Sequence, residues 1–328
     1  MCQMDLLEQI KSPVANELKS YKELFDSTLY HDDELLGKVL EHIRRRKGKM
    51  MRPVLVMLMA KEAGGVAQAT LHAAVTLELL HTASLVHDDI VDESGERRGQ
   101  ASVNAAYNNK VAVLVGDYML STALDQAAQT NDVRIIRRIA RLGQSLSEGE
   151  VFQLSNIRRE EISEEAYYHI IRRKTAELFA TSAELGALSG GGSDENVRLA
   201  QRFGEVVGTC FQIRDDIFDY FDDASSIGKP TGNDMHEGKL TLPVISALKQ
   251  TGDAAMMELA SRVKQSLATP EEIAELVEFT KQNGGIDYAE KAMEQQRQYG
   301  LTLLEEFSDY TVREALERYL DFVVRRNW

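Results

Sequence analysis

Leu71-His-Ala-Ala-Val-Thr-Leu-Glu-Leu-Leu-His-Thr-Ala-Ser-Leu-Val-His-Asp-Asp-Ile-Val-Asp92 decides the fold. Its apolar side chains recur at helical spacing, and the run ends in three aspartates. On a helix of 3.6 residues per turn, positions i and i+4 share a face, so Asp88 and Asp92 make a pair of hard oxygen ligands. A second triplet of the same spacing, Asp215-Asp216-Ile217-Phe218-Asp219, ends another helix-patterned run and pairs Asp215 with Asp219. Each pair follows hydrophobic sequence that has to be buried. This implies carboxylates facing one another across a cavity, where like charges repel unless cations lie between them.

Magnesium suits such a site, because it is held by a few carboxylates with water and phosphate oxygens completing the shell. The six aspartates Asp88, Asp89, Asp92, Asp215, Asp216 and Asp219 are therefore the metal candidates, and the substrate is expected to carry a diphosphate. Basic residues stand close by: Arg97-Arg98 follow the first triplet, and Lys229 and Lys239 follow the second.

Around these motifs the chain is helical throughout, with alternating β-type runs nearly absent. Residues 5–27 and 32–46 read as amphipathic helices, and Pro53 suits the first turn of a third, Val54 to Ala63, closed by Gly64-Gly65. Beyond the polar turn Gly95 to Gly99, helical patterning resumes over Ser102–Asn108, Val111–Gln129 and Val133–Asn156, with a bend expected near Gly149. Ser163 reads as an N-cap opening a helix through Lys174-Thr175 to about Leu188. Asn196–Phe221 carries the second triplet. Pro243 opens a further helix, and three or four charged helices finish the chain, with no identifiable chemistry in the last hundred residues.

The 328 residues are 43% hydrophobic and 27% charged, an ordinary balance for a chain with a sizeable buried core. Five prolines and no Ser/Gly/Pro-rich linker point to a single domain over residues 1–328. A formal charge of −14 argues against nucleic acid as a partner. Cys2 and Cys210 form neither a disulfide framework nor a metal-ligand spacing, so a reducing cytoplasm is the natural compartment. No signal-type N-terminus and no run of about 18 apolar residues suggests export or a membrane span.

Three smaller constellations add to the triplets. His81, Ser84, Asp88 and Asp92 form one stripe along their helix; a lone histidine there would be structural, but this one shares its face with metal-type carboxylates. Gln212, Asp215, Asp216 and Asp219 form a second stripe, with Gly204 and Gly208 leaving little bulk one and two turns earlier. Gly48-Lys49-Met50-Met51-Arg52-Pro53 places Lys49 and Arg52 at a helix entrance where an anion could bind, although the adjacent Arg44-Arg45-Arg46-Lys47 run has the bland reading of a solvated basic face. The loop from Gly228 to Lys239 is not a nucleotide P-loop: Gly232 and Gly238 enclose five residues, Leu240 follows Lys239, and no strand precedes.

Together these motifs resemble the trans-polyprenyl diphosphate synthases over nearly the whole chain. The resemblance is carried by the Gly-Lys-x-x-Arg-Pro segment, the run from His81 through both aspartates to Arg97-Arg98-Gly, the Lys174-Thr175 pair, the Phe211-Gln212 run into the second triplet and the Gly-Lys loop, in family order. It implies the type I isoprenoid synthase fold, an all-α bundle of roughly 10–13 helices around a central cavity. It also implies that Lys49, Arg52, His81 and Arg98 bind isopentenyl diphosphate. Asp88, Asp92 and Asp215 would hold about three Mg2+ ions on the allylic diphosphate, aided by Arg97, Lys174 and Lys229. Lys174, Thr175 and Gln212 would also point dipoles at the developing carbocation.

In the family, bulky residues four or five positions before the first triplet block the growing product. Here those positions are Ser84 and Ala83, both small, which implies a long product centred on octaprenyl, of the quinone side-chain type, as in bacterial octaprenyl diphosphate synthases. A homodimer is implied by the resemblance alone. Three alternatives stand beside this reading: a short-chain synthase making farnesyl or geranylgeranyl diphosphate, a class I terpene cyclase, and a non-catalytic synthase subunit. The second aspartate triplet argues against the cyclase, and the retained triplets and lysines argue against the subunit.

Overall fold

The computed structural model describes residues 3–45, 48–97, 99–157, 162–221 and 231–326. It is all-α apart from one two-stranded pairing, Glu96–Arg97 against Gln100–Ala101, which turns through Gly99 at a φ of 74°. The polar turn expected after the first triplet is thus a minimal hairpin.

Seventeen α-helical segments are present among the described residues, more than the expected 10–13. The excess comes from short pieces and interruptions. Pro13 lacks an N–H, and the first helix breaks into Gln3–Lys11 and Ala15–Thr28 around the 3-10 turn Ser12–Val14. Ser102–Asn108 yields only the single turn Val103–Ala106, and Asn233–His236 is a short helix that no apolar periodicity announces. Other boundaries follow local chemistry. Ser163 caps Glu164–Ile171 by accepting from Ala166 N (3.3 Å), and Pro243 lies in the first turn of Leu242–Thr251.

The chain forms two compact units, each assembled from separated segments. The first comprises Met1–Gly143, Thr181–Gln201 and Phe307–Leu316. Its centre is the helix Gln68–Val91, packed along Asn109–Gln129 and against Met51–Ala63, whose residues 53–60 are all buried. Glycines permit backbone contact in this unit: a Cβ at Gly186 would lie 2.2 Å from Val56 O, and one at Gly190 2.4 Å from Ala60 O. By length and composition Gln68–Val91 is apolar enough to cross a membrane, which corrects the expectation that no segment reaches that threshold. It is a core helix here, with 56% of its most apolar window buried.

The second unit comprises Gln144–Ala180, Arg202–Glu306 and Glu317–Trp328. Leu242–Thr251 packs on Gly285–Leu304 and on Pro270–Gln282. A buried cluster of Val244, Leu248, Val263, Leu276 and Val277 forms with Tyr220 and Met235. The long helix Asp194–Phe218 carries the second triplet at its C-terminal end.

Candidate active site

In the first unit, the stripe of the helix Gln68–Val91 divides as its spacing requires. His81, Ser84 and Asp88 are half-buried and Asp92 is exposed, whereas Ala83, Val86 and Asp89 face the core. Asp92 is the C-cap, its N–H donating to Asp88 O at 2.8 Å. The negative end of the helix dipole is therefore next to two carboxylates, an arrangement that a bound cation relieves.

Asp89 takes a different path. It is fully buried, and its Oδ1 accepts from Arg97 Nε at 2.6 Å. Asn104 Nδ2 donates to the Asp89 carbonyl at 3.2 Å, while Asp89 Oδ2 has no hydrogen-bond partner among the described residues. Ala83 has no exposure, and Ser84 Oγ donates to His81 O at 2.9 Å.

A cavity of about 690 Å³ opens in the same unit, lined by Arg52, His81 and Arg97. Arg44, Arg45 and Lys22 line it too, so two residues of the basic run read as a solvated face contribute to a cationic pocket. Arg52 is aimed by Glu78, which accepts from Nε at 2.6 Å and from Nη2 at 3.5 Å with both side chains largely buried. Glu78 lies three residues before His81 on the same helix face, a spacing that could have drawn attention to it. Lys49 is half-buried just ahead of Met50, which enters the helix Met51–Ala63 at a φ of 56°, and Lys49 is no part of the lining. Arg98 and Lys229 lie outside the described residues.

In the second unit, the helix through Lys174-Thr175 widens to a π turn at Arg172–Ala176, a form that recurs at functional sites. Gly149 packs on it: a Cβ there would lie 3.0 Å from Arg173 Cβ and 3.1 Å from Lys174 Cγ, so this glycine is a packing contact. Lys174 Nζ is held by Glu150 Oε2 at 2.5 Å and Gln153 Oε1 at 3.0 Å. Thr175 Oγ1 donates to Gln212 Oε1 at 2.6 Å, and Gln212 Nε2 donates to Asp216 Oδ1 at 2.8 Å. Tyr167 Oη donates to Asp216 Oδ2 at 2.6 Å. These residues border a cavity of about 200 Å³ that Asp234, Lys239 and Lys264 also line.

The second triplet separates into three environments. Asp215 accepts from Arg326 Nη2, and that guanidinium also donates to Phe211 O at 2.9 Å while stacking 3.8 Å from the Phe211 ring. Asp216 is buried, and burial raises its carboxyl to about 7. Asp219 accepts the backbone N–H of Asn233 at 2.9 Å and of Asp234 at 3.0 Å, so it caps Asn233–His236 from the end of the preceding long helix. Burial and neighbouring carboxylates raise Asp234, and burial raises Asp219.

No group of three or more His, Cys, Asp or Glu poised around one point occurs among the described residues. Paired carboxylates at helix ends nonetheless suit magnesium, which takes one or two protein carboxylates and leaves its remaining positions to water and phosphate. Sequence reasoning missed Tyr167, Glu78, Lys264 and Arg326. Tyr167 precedes Lys174 by two helical turns on one face, a detectable spacing; Arg326 and Lys264 carried no local signal.

The chain matches the family model described as polyprenyl synthetase over residues 33–280. It is 34% identical to an all-trans-nonaprenyl-diphosphate synthase of Rhodobacter capsulatus, covering 95% of this chain and 96% of the relative. It is 32% identical to an octaprenyl diphosphate synthase of Haemophilus influenzae, over 98% of each. A crystal structure of geranylgeranyl pyrophosphate synthase from Bacteroides thetaiotaomicron superposes with a TM-score of 0.87 at 52% identity, covering 98% of this chain and 100% of that one. A polyprenyl synthase from Caulobacter crescentus, complexed with calcium and isoprenyl diphosphate, gives a TM-score of 0.91 at 29% identity over 98% of each chain. With its all-α isoprenoid synthase fold, the chain belongs to the polyprenyl synthetase family and is a prenyltransferase.

Proposed function

We propose that this prenyltransferase adds isopentenyl diphosphate units head-to-tail to farnesyl diphosphate and releases a long, octaprenyl-range product of the quinone side-chain type. The observation that carries the long product is the pair of small residues before the first triplet: Ala83 is fully buried and half-buried Ser84 keeps its hydroxyl on its own helix, so neither fills space beyond the helix surface. The names of the octaprenyl and nonaprenyl relatives point the same way.

In this reading Arg52 and His81, with Lys49 and Arg98, hold isopentenyl diphosphate, and the Arg52–Glu78 pair supports that role by fixing the guanidinium. Asp88, Asp92 and Asp215 would hold Mg2+, about three ions as in the resemblance. Asp89, Asp216 and Asp219 serve the site through the hydrogen bonds already described. Bound magnesium supplies charge that stabilises the departing diphosphate.

Lys174, Arg97 and Lys229 add positive charge at the allylic diphosphate, and Thr175 and Gln212 turn oxygen dipoles toward the carbon that loses it. The allylic C–O bond breaks with both electrons on diphosphate, the isopentenyl double bond supplies the new C–C pair, and the adjacent proton passes to the released diphosphate. Residues 1–328 act as one domain in this reading, since the family match runs through segments of both compact units. A homodimer fits the apolar side chains exposed on Asn109–Gln129, Leu114 at 67% and Leu124 at 57%. The buried Cys210 thiol is compatible with a cytoplasmic setting.

The test is a product assay with purified protein, Mg2+, farnesyl diphosphate and labelled isopentenyl diphosphate, sizing the dephosphorylated products. A ladder reaching hexaprenyl or longer supports the proposal. The 52% identity to a geranylgeranyl pyrophosphate synthase favours a second reading, a stop at geranylgeranyl, which a ladder ending there would establish. Absence of condensation would leave a subunit that needs a partner, as the name of a 36%-identical relative, heptaprenyl diphosphate synthase component 2 of Geobacillus stearothermophilus, suggests for that protein.

A further inference from the structure

Asp216 is 3% exposed, and each of its carboxylate oxygens accepts one strong hydrogen bond, Oδ1 from Gln212 Nε2 and Oδ2 from Tyr167 Oη. In its ionised form this carboxylate can only accept, so it fixes the direction of every bond that leads to it. Gln212 must present its NH2 to Asp216, which leaves its carbonyl toward Thr175. Thr175 then donates its single hydroxyl hydrogen to that carbonyl, at 2.6 Å, and its lone pairs point away from the network. All three donor hydrogens run toward Asp216, and the negative ends of the dipoles run out along the π turn beside Lys174.

We propose that Tyr167 and Asp216 are positioning residues: Tyr167 locks the Asp216 carboxylate, which orients Gln212 and through it the Thr175 oxygen, so that electron-rich atoms face the allylic carbon as it ionises. This deepens the proposed prenyl transfer and rests on it. Tyr167 is 5% exposed, and its phenol is spent on Asp216. The middle aspartate of the first triplet has the same fate in its own unit, where buried Asp89 holds Arg97. In both triplets, the middle carboxylate holds a neighbouring side chain of the candidate site.

The experiment compares wild type, Tyr167→Phe, Asp216→Asn and Gln212→Ala, alone and as the Tyr167→Phe/Gln212→Ala double variant. It reads kcat and KM for both substrates, thermal melting, and calorimetric binding of inorganic diphosphate with Mg2+. Losing a hydrogen bond to a buried charge should lower kcat of Tyr167→Phe about tenfold to hundredfold, with both KM values, the diphosphate affinity and the fold retained.

Because Tyr167 acts through Gln212, removing its hydroxyl in the Gln212→Ala background should cost less than about threefold. Asp216→Asn, which keeps the shape and loses the fixed polarity, should repeat the kcat loss and serves if Tyr167→Phe melts early. Unchanged kcat, losses that multiply in the double variant, or a loss expressed in KM and diphosphate binding would overturn the proposal. A wild type that condenses nothing would instead count against the stand-alone prenyl transfer on which it rests and leave the partner-requiring subunit.

Discussion

Gly208→Ala tests whether the second triplet's helix must touch the π turn to place Gln212. A Cβ on Gly208 would lie 2.5 Å from Ala176 Cα, 3.1 Å from Ala176 O and 3.2 Å from Ala176 Cβ. Two of these are backbone atoms, which cannot swing aside. Ordinary contact begins at 3.4 Å, so relief by separation requires a shift of 3.4 − 2.5, about 0.9 Å. Gln212 lies one turn further on the same face, and its 2.6 Å bond from Thr175 would stretch toward about 3.5 Å, the limit of a hydrogen bond. Overpacking costs about 1–3 kcal/mol, and replacing a helical glycine by alanine returns about 1 kcal/mol. The melting temperature should therefore fall by only a few degrees.

Activity should fall much further, because a misplacement of about 1 Å can cost about a hundredfold in rate. The assay is kcat for condensation beside the melting temperature, with Gly143→Ala as control. A Cβ at Gly143 meets only Leu80 Cδ1 at 4.0 Å, so that variant should be neutral or slightly stabilised and fully active. A Gly208→Ala protein with wild-type kcat would refute the reasoning, since it would show that the helix yields without disturbing Thr175 and Gln212.

Ala83→Phe puts a bulky ring at a fully buried position five residues before Asp88 and should shorten the longest product relative to wild type, read by chromatography of the dephosphorylated chains; an unchanged ladder would remove Ala83 from the length gate. Arg326→Ala removes the bonds to Asp215 and Phe211 O and the stacking on Phe211. With Asp215 41% exposed, the loss should be about 2 kcal/mol, or about 3 °C in melting temperature for 328 residues, and Arg326→Met should recover part of it by restoring apolar contact with the Phe211 ring. Burial raises Asp216 to about 7 and, with neighbouring carboxylates, raises Asp219 and Asp234 above the ordinary carboxylate value, so each binds its proton more tightly in the fold than in the unfolded chain. Their contribution to stability is therefore complete below about pH 4 and is lost as pH rises through their raised values, about 7 for Asp216. Without divalent cations the melting temperature should fall between pH 5 and pH 8, and Asp216→Asn should fall less steeply; a slope of the opposite sign would contradict the assignment.

Helix after helix was legible because 3.6-residue periodicity is a local property that burial enforces, and Ser163 and Pro243 were legible because a cap and a first-turn proline act on their immediate neighbours. The i, i+4 logic also paired Asp88 with Asp92, whereas the burial of Asp89, read beside them as a metal candidate, emerges only in the structure. What periodicity could not reveal were partners chosen across long stretches of chain. Arg326 reaches Asp215 from a terminal segment that looked chemically empty, and Lys264 enters the Lys174 cavity from another part of it. Asn233–His236 has no apolar pattern because its start is fixed by Asp219, a residue from the helix before it. The π turn at Lys174-Thr175 is equally silent, since it depends on packing against Gly208 and Gly149.

The six aspartates, equivalent as letters, are divided by these contacts. Asp89, Asp216 and Asp219 accept hydrogen bonds that hold Arg97, Gln212 and a helix start, while Asp215 accepts from Arg326. A repeated spacing identifies carboxylates that need compensation; whether a metal or a protein hydrogen bond supplies it depends on which helix face is buried and on what the rest of the fold brings to it.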